Sequence, residues 1–221
     1  MKTITEEEIK SGQAVYSPLI LSLYDAWVVH FSNRFIWRCP MRLQLAQFQE
    51  SITSNHLDIG VGTGFYLRRC KWPGKTRLAL MDLNPNCLAT AKFSVSQLNP
   101  ETFEADIFKP QPHLEKQFDS VSMNFLLHCL PGDMDNKSIV IEHAAQMLKP
   151  GGVIFGATIL SDESIQTSIS RSLAALYNKK GIFSNKDDTQ LSLKKALEQH
   201  LQDVSIKVVG SVALFNGRIS N

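Results

Sequence analysis

The stretch HLDIGVGTGFYL, residues 56 to 67, is a short apolar run that enters three alternating glycines. Glycine in such a turn permits positive φ and lets a ligand approach bare backbone. A strand, a glycine turn and then a helix is also how doubly wound sheets hold nucleotides. Gly60, Gly62 and Gly64, with Asp58 just ahead of them, therefore constrain the fold more than any other part of the chain. The pattern predicts a strand up to the turn and a helix through Arg68.

The segments that follow repeat the theme. TRLALMDL (76 to 83) reads as a buried strand, and residues 84 to 98 as a helix with Pro85 in its first turn, where proline is tolerated. ETFEADIF (101 to 108) and FDSVSMNFLL (118 to 127) read as strands, and residues 133 to 148 as a helix ended by KPGG. GGVIFGATIL (151 to 160) is the next strand, with helices expected over 163 to 178 and 188 to 201. VSIKVVG and SVALFNG then form two β-rich runs with almost nothing between them, an antiparallel hairpin. Repeated βα units imply an α/β fold, a doubly wound and mostly parallel sheet with right-handed crossovers and that hairpin at one edge.

Much of residues 5 to 50 reads as helical. Ser17 and Pro18 make a cap and first turn, and Leu19, Ile20, Leu23, Trp27 and Phe31 fall on one face. No linker divides the 221 residues, and 43% hydrophobic content suits one globular domain. The expected division is a helical lid over 1–50, a cofactor-binding core over 54–160, and C-terminal helices with the edge hairpin over 161–221. The start, MKTITEEEIKSG, lacks the apolar core of a secretory signal, and SPLILSLYDAWVVHF is interrupted by Asp25 and too short to span a bilayer. Cys39, Cys70, Cys87 and Cys129 are scattered, which suggests neither a disulfide scaffold nor a metal site. A cytoplasmic protein is expected.

Lys plus Arg number 23 against 21 Asp plus Glu, a balance that argues against a broad nucleic-acid-binding face. The one local exception is LRRCKWPGKTR, residues 67 to 77. It reads as a solvated helix end, where cations are favoured, or as an RNA-contacting patch.

A dinucleotide fingerprint places its third glycine three residues after the second, where this chain has Phe65. Asp58 is the sharper clue. A carboxylate near a pyrophosphate costs Coulomb energy, whereas one near an ammonium group gains it. The expected ligand is a nucleoside with a cationic tail and no phosphate, which describes S-adenosylmethionine.

The ordered segments LDIGVGTG, LALMDLNP, EADIF, FDSVSMNFLLHCLP and MLKPGGVIFGAT resemble the class I, Rossmann-like S-adenosylmethionine-dependent methyltransferases over residues 54 to 160. That resemblance implies a seven-stranded sheet whose last strand is reversed, and a methyl transfer that leaves S-adenosylhomocysteine. It implies that Gly60, Gly62 and Gly64 pass under the methionine and ribose, and that Asp58 orients the methionine amine through water. Asp82 would accept both ribose hydroxyls, since a carboxylate can take two such bonds, or would only cap the helix that starts at NP. Leu83 would pack on the adenine, with Asp106 accepting from its amino group beside the Ile107 backbone, or serving only as a surface loop acid. Asn124 and Phe125 would flank the methionine moiety and the acceptor.

Alignment of the reacting groups can supply up to ~7–11 kcal/mol in such a displacement. A base is needed only when the nucleophile must lose a proton. His128, just past the fourth strand, is either that base or a side chain packed beneath the loop. The DNA-base signature of Asn/Asp-Pro-Pro-aromatic is absent, since NFLL stands in its place. A small-molecule acceptor, methylated on N, O or C, is the expectation. Tyr16, Tyr24, Trp27, Phe35 and Trp37 could supply aromatic walls to a substrate pocket or lid, or could be helix core. Arg38 could bind a carboxylate or lie on the surface. An RNA-modifying enzyme and a silent adenosylmethionine-binding protein stay open as alternatives.

Overall fold

The computed structural model describes residues 32–220. Residues 32–36 form a single wide turn, closed by the Trp37 amide on the Ser32 carbonyl at 2.9 Å. Helix α1 (Met41–Ser51) leads into β1 (Asn55–Ile59). Then come β2 (Arg77–Asp82), α2 (Pro85–Ser94), β3 (Glu101–Glu104), β4 (Phe118–Asn124) and α3 (Met134–Gln146). The chain continues through β5 (Leu148–Ile159), α4 (Ser168–Lys179), α5 (Gln190–Glu198), β6 (Gln202–Val209) and β7 (Val212–Arg218).

The strands form one seven-stranded sheet in the order β3-β2-β1-β4-β5-β7-β6. Strands β1 to β5 run parallel, and β7 is antiparallel to both β5 and β6. The hairpin read from the sequence thus sits at the sheet edge. From β1 the chain winds outward through β2 and β3, then returns to build β4 and β5 on the other side. Strand order reverses between β1 and β4, the crevice where open α/β sheets bind ligands.

Both faces of the central strands are covered, so β2 and β5 carry long apolar runs, while β1 and β4 bury polar side chains among their apolar ones. On β2, Ala79 and Met81 join a core under α3 and α5, while Leu78 and Leu80 face α2 and Phe48 of α1. The helices start on local signals. Asn84 accepts from the Asn86 amide with Pro85 following, and Asp133, Thr167 and Thr189 each close a capping box.

Two expectations are corrected. After the glycine turn there is no regular helix through Arg68: residues 65–69 form only turns. Side chains take the carbonyls that a helix would use. The Trp72 indole donates to Leu67 O at 3.0 Å, the Cys70 thiol donates to the same oxygen, and Arg69 reaches Phe65 O. The strand expected over 101 to 108 stops at Glu104, because Asp106 accepts the Phe108 amide at 2.9 Å and folds the chain into a turn. The helical pattern around Ser17, Pro18, Leu19, Ile20, Leu23, Trp27 and Phe31 lies outside the described residues.

Candidate active site

Strand β1 ends at Ile59, and the Gly60 amide ties the turn to β2 through the Met81 carbonyl at 2.9 Å. Gly60, Gly62 and Gly64 all have left-handed φ, at 75°, 52° and 69°. Two of them serve opposite ends. A Cβ on Gly62 would meet nothing within 4 Å, so the turn presents bare backbone to open space. A Cβ on Gly64 would fall 3.2 Å from the Ala91 Cα, so glycine lets the turn close on α2.

Two carboxylates flank this turn. Asp58 is only 6% exposed and accepts from the Ser122 hydroxyl on β4. Burial pushes its carboxyl up to about 7, against that hydrogen bond and with a small addition from the Asp82 charge. Asp82 closes β2 and accepts the Asn84 amide at 2.9 Å. Burial raises it to about 6, opposed by the amides of Asn84, Gly62, Val61 and Leu83. Its carboxylate therefore lies against the backbone of the glycine turn, and Leu83 beside it is partly exposed.

Asn124 ends β4, and its Nδ2 is buried with no hydrogen-bond partner among the described residues. A buried, idle amide donor is costly unless a ligand completes it. Phe125 follows in a left-handed conformation at φ 56°, held by its amide on the Ala157 carbonyl at 2.7 Å. Such strain in a bulky residue collects at functional sites. Asp106 and Ile107 form the turn after β3, and His143 donates to the Ile107 carbonyl at 2.7 Å. Asp58, the glycines, Asp82, Leu83, Asp106, Ile107, Asn124 and Phe125 thus share the C-terminal edge of the parallel strands.

His128 sits in the short turn Leu127–Cys129, sealed at 3% exposure. Its ring meets Phe183 edge-on at 4.5 Å and Phe125 at 5.8 Å, and Nδ1 lies 3.4 Å from Thr158 Oγ1. Burial, with the Lys137 charge second, lowers it to about 3. Trp37 is buried against Phe183, and its carbonyl accepts the Ser211 amide at 2.8 Å. Arg38 is exposed beside it, at the β6–β7 turn where Gly210 packs closely. The structure thus puts Trp37 and Arg38 by the reversed hairpin rather than by Asp82. Phe35 is 61% exposed. Tyr16, Tyr24 and Trp27 lie outside the described residues.

The basic stretch is largely engaged with the protein itself. The Arg69 and Arg68 guanidinium groups lie over the Phe65 ring at 3.8 and 5.4 Å. Arg77 makes a two-pronged contact with Glu101, at 2.7 and 3.1 Å.

Sequence reasoning missed a polar row behind Asp58. His56 Nε2 lies 3.0 Å from Ser122 Oγ, and Nδ1 lies 2.8 Å from Ser120 Oγ. All three side chains are buried. A signal was available: His56 and Asp58 are two apart on β1, Ser120 and Ser122 two apart on β4, so each pair shares a face.

The methyltransferase domain family matches residues 57–154. The chain is 42% identical over 206 residues to the physcion biosynthesis cluster O-methyltransferase of Aspergillus chevalieri, covering 92% of this chain and 93% of that one. It is 33% identical over 213 residues to the demethylluteothin O-methyltransferase of Streptomyces thioluteus, covering 96% and 93%. In fold it is similar to the N-methyltransferase NodS of Bradyrhizobium japonicum, solved with S-adenosylhomocysteine, at TM-score 0.66 and 16% identity over 96% of this chain and 99% of that one. With this cradle and these relatives, the chain belongs to the methyltransferase domain family and is a class I S-adenosylmethionine-dependent methyltransferase.

Proposed function

We propose that this enzyme methylates a hydroxyl oxygen on a small organic molecule, and that its cofactor lies across the glycine turn between Asp58 and Asp82. The observation that carries the cofactor reading is the idle Asn124 amide on the same edge as the desolvated Asp58 carboxylate. An amino acid's ammonium and carboxylate would complete both groups at once. The open backbone at Gly62 leaves room for the chain between them.

In this reading Asp58 holds the methionine amine, and Asn124 donates to the methionine carboxylate. Asp82 accepts from the ribose hydroxyls, Leu83 covers the adenine, and Asp106 with Ile107 receives the adenine edge. Bound there, S-adenosylmethionine supplies an electrophilic methyl carbon. The chain's own contribution is to align the acceptor and exclude water. Phe125, held in its strained conformation, forms the wall beside Asn124. His128 then acts by packing: a ring whose neutral form is this strongly favoured is a poor proton acceptor near neutral pH.

The choice of oxygen follows the two relatives named as O-methyltransferases. The engaged arginines of the basic stretch speak against RNA. The N-terminal segment that carries Tyr16, Tyr24 and Trp27 would serve as a lid over the acceptor, with Trp37 and Arg38 staying at the reversed hairpin. Deleting residues 1–30 should then abolish transfer more severely than it weakens S-adenosylhomocysteine binding. Cys39, Cys70, Cys87 and Cys129 form no disulfide, which suits a reducing, cytoplasmic setting. Among the described residues no helix is long and apolar enough to cross a membrane.

Labelled S-adenosylmethionine offered with phenols, amines, activated carbon acids and RNA tests the proposal. Label on a phenol oxygen is the expected result. Label on RNA, or tight cofactor binding without turnover on any small acceptor, would overturn it.

A further inference from the structure

The polar row behind Asp58 does not stop at His56. Ser120 Oγ lies 2.9 Å from Thr53 Oγ1, and Thr53 reaches a cavity of about 500 Å³ at the opposite end of the sheet. Five side chains in an unbroken line, Asp58, Ser122, His56, Ser120 and Thr53, therefore join the cofactor edge to the other edge along the β1–β4 seam. The first four are buried and only Thr53 is partly exposed.

We propose that Ser122, His56, Ser120 and Thr53 form a proton wire that carries away the proton Asp58 gives up when a cationic ligand binds. This rests on the reading of Asp58 as the partner of the cofactor amine.

The line has two complete hydrogen-bond polarities. With Asp58 protonated, its O–H donates to Ser122 Oγ and Ser122 donates to His56 Nε2. His56 Nδ1–H then donates to Ser120, and Ser120 donates to Thr53. With Asp58 ionised every bond reverses: Thr53 donates to Ser120, Ser120 to Nδ1, Nε2–H to Ser122, and Ser122 to the carboxylate. Each bridging atom can donate or accept, so both states satisfy the whole line. One concerted shift converts them. Asp58 passes its proton to Ser122, Ser122 passes its own to Nε2, Nδ1 passes its own to Ser120, Ser120 to Thr53, and Thr53 releases to solvent the one it donates to the Asn55 carbonyl at 3.1 Å. The balance is one proton lost and one imidazole tautomer exchanged, with His56 neutral at both ends.

Neutrality matters, because His56 lies among the rings of Phe155, Phe48 and Trp72 at 5.7, 5.7 and 5.9 Å, and burial lowers it to about 3. Such a site tolerates a tautomer exchange and resists an imidazolium. The front exit is also closed at the relevant moment, since a bound amine would cover the carboxylate. The titratable groups facing the line are Asp82 and the Cys70 thiol near Asp58. Glu50, Asp119, Asp203 and Arg218 face the cavity, with Lys149 paired to Asp119 at 3.1 Å. Three carboxylates at the exit suit a place that receives protons.

Stopped-flow mixing of the full chain with S-adenosylhomocysteine, in weak buffer near pH 7 with an indicator dye, reads the release directly. The wild type should release about half a proton per site in step with binding, since a carboxyl at about 7 is half protonated at that pH. Ser120→Ala and Thr53→Val should slow release about tenfold or more while equilibrium affinity stays within about twofold. Nitrogen NMR should show His56 passing from Nδ1–H to Nε2–H on binding. Thr53→Val leaves the buried core intact, so it decides the matter even if Ser120→Ala folds poorly. Release that vanishes in Asp58→Asn yet runs at full rate in Thr53→Val and Ser120→Ala overturns the wire alone, as does a fixed His56 tautomer. Normal affinity and normal release in Asp58→Asn would overturn the reading of Asp58, and the wire with it.

Discussion

Lys137 Nζ lies 2.6 Å from the Asp188 carboxylate, with both side chains fully buried. The same ammonium donates to the Ser184 carbonyl at 2.6 Å, and the Ser184 amide donates to the His128 carbonyl at 2.8 Å. One buried charge pair, between Lys137 on α3 and Asp188 just before α5, thus pins the loop that roofs His128. Losing one partner strands the other in the core, so Lys137→Met should cost about 3–5 kcal/mol. Replacing both, Lys137→Met with Asp188→Leu, should recover most of that loss. Urea unfolding of the three proteins checks the order. Equal stability of single and double variants would remove the pair from the account.

Asp82 offers the second expectation. Its carboxylate lies against the amides of Val61, Gly62 and Leu83, at the edge where ribose hydroxyls are placed in the proposed complex. Asp82→Ala should weaken S-adenosylmethionine binding by on the order of 1–3 kcal/mol, the cost of hydroxyls left without an acceptor. Titration calorimetry on the folded variant measures it. Unchanged affinity would take Asp82 out of the site.

Cofactor affinity should depend on pH in a direction that Asp58 sets. Burial holds its carboxyl at about 7, and an ammonium group is attracted only to the ionised form. Below pH 7 binding must therefore expel a proton, so affinity should rise with pH by up to about tenfold per unit and level off above it. Asp58→Asn should flatten that rise. A steep rise that persists in the variant would assign it to another group.

Much of the fold was legible because its signals are local. The strand and glycine turn through Gly60, Gly62 and Gly64, the Asn84–Pro85 start of α2 and the two adjoining β-rich runs of the hairpin are each contiguous in the chain. The turn at 65–69 was not legible, since it depends on Trp72 and Cys70 capturing one carbonyl. Nor was the His56–Ser120–Ser122–Asp58 row, which exists only through the register that sets His56 against Ser120 and Asp58 against Ser122. The partnership of Lys137 with Asp188 spans 51 positions and leaves no local trace. Trp37 looked like a pocket wall from composition, and only its packing on Phe183 shows it buried by the hairpin.

His128 separates two roles by experiment. As a packed ring between Phe183 and Phe125, its truncation to alanine should cost about 2–4 kcal/mol of stability. The acid limb of the pH–rate profile should keep its midpoint, because a group held near 3 does not titrate there. A hundredfold loss of turnover with unchanged stability, together with loss of that limb, would make His128 the base.

The buried groups also set how unliganded stability varies with pH, with opposite signs. His56 and His128 are lowered from 6.5 to about 3, so the unfolded chain binds more protons between those values. Their neutral burial is fully tolerated above 6.5, and stability is lost as pH falls toward 3. Asp58 runs the other way. Its folded value near 7 exceeds the unfolded 3.8, so the native state holds the extra proton, and stability falls as pH rises from about 4 to 7. Asparagine mimics the protonated carboxyl, because its amide also donates to Ser122 while carrying no charge. Asp58→Asn should therefore match the wild type near pH 4 and exceed it at pH 8 by on the order of 2–4 kcal/mol, while losing cofactor affinity. That is the trade expected where a site keeps a strained charge for function. Thermal melts of both proteins across this range, without cofactor, decide it. A variant less stable than wild type at pH 8 would mean that the Asp58 charge is satisfied within the fold and does not wait for a ligand.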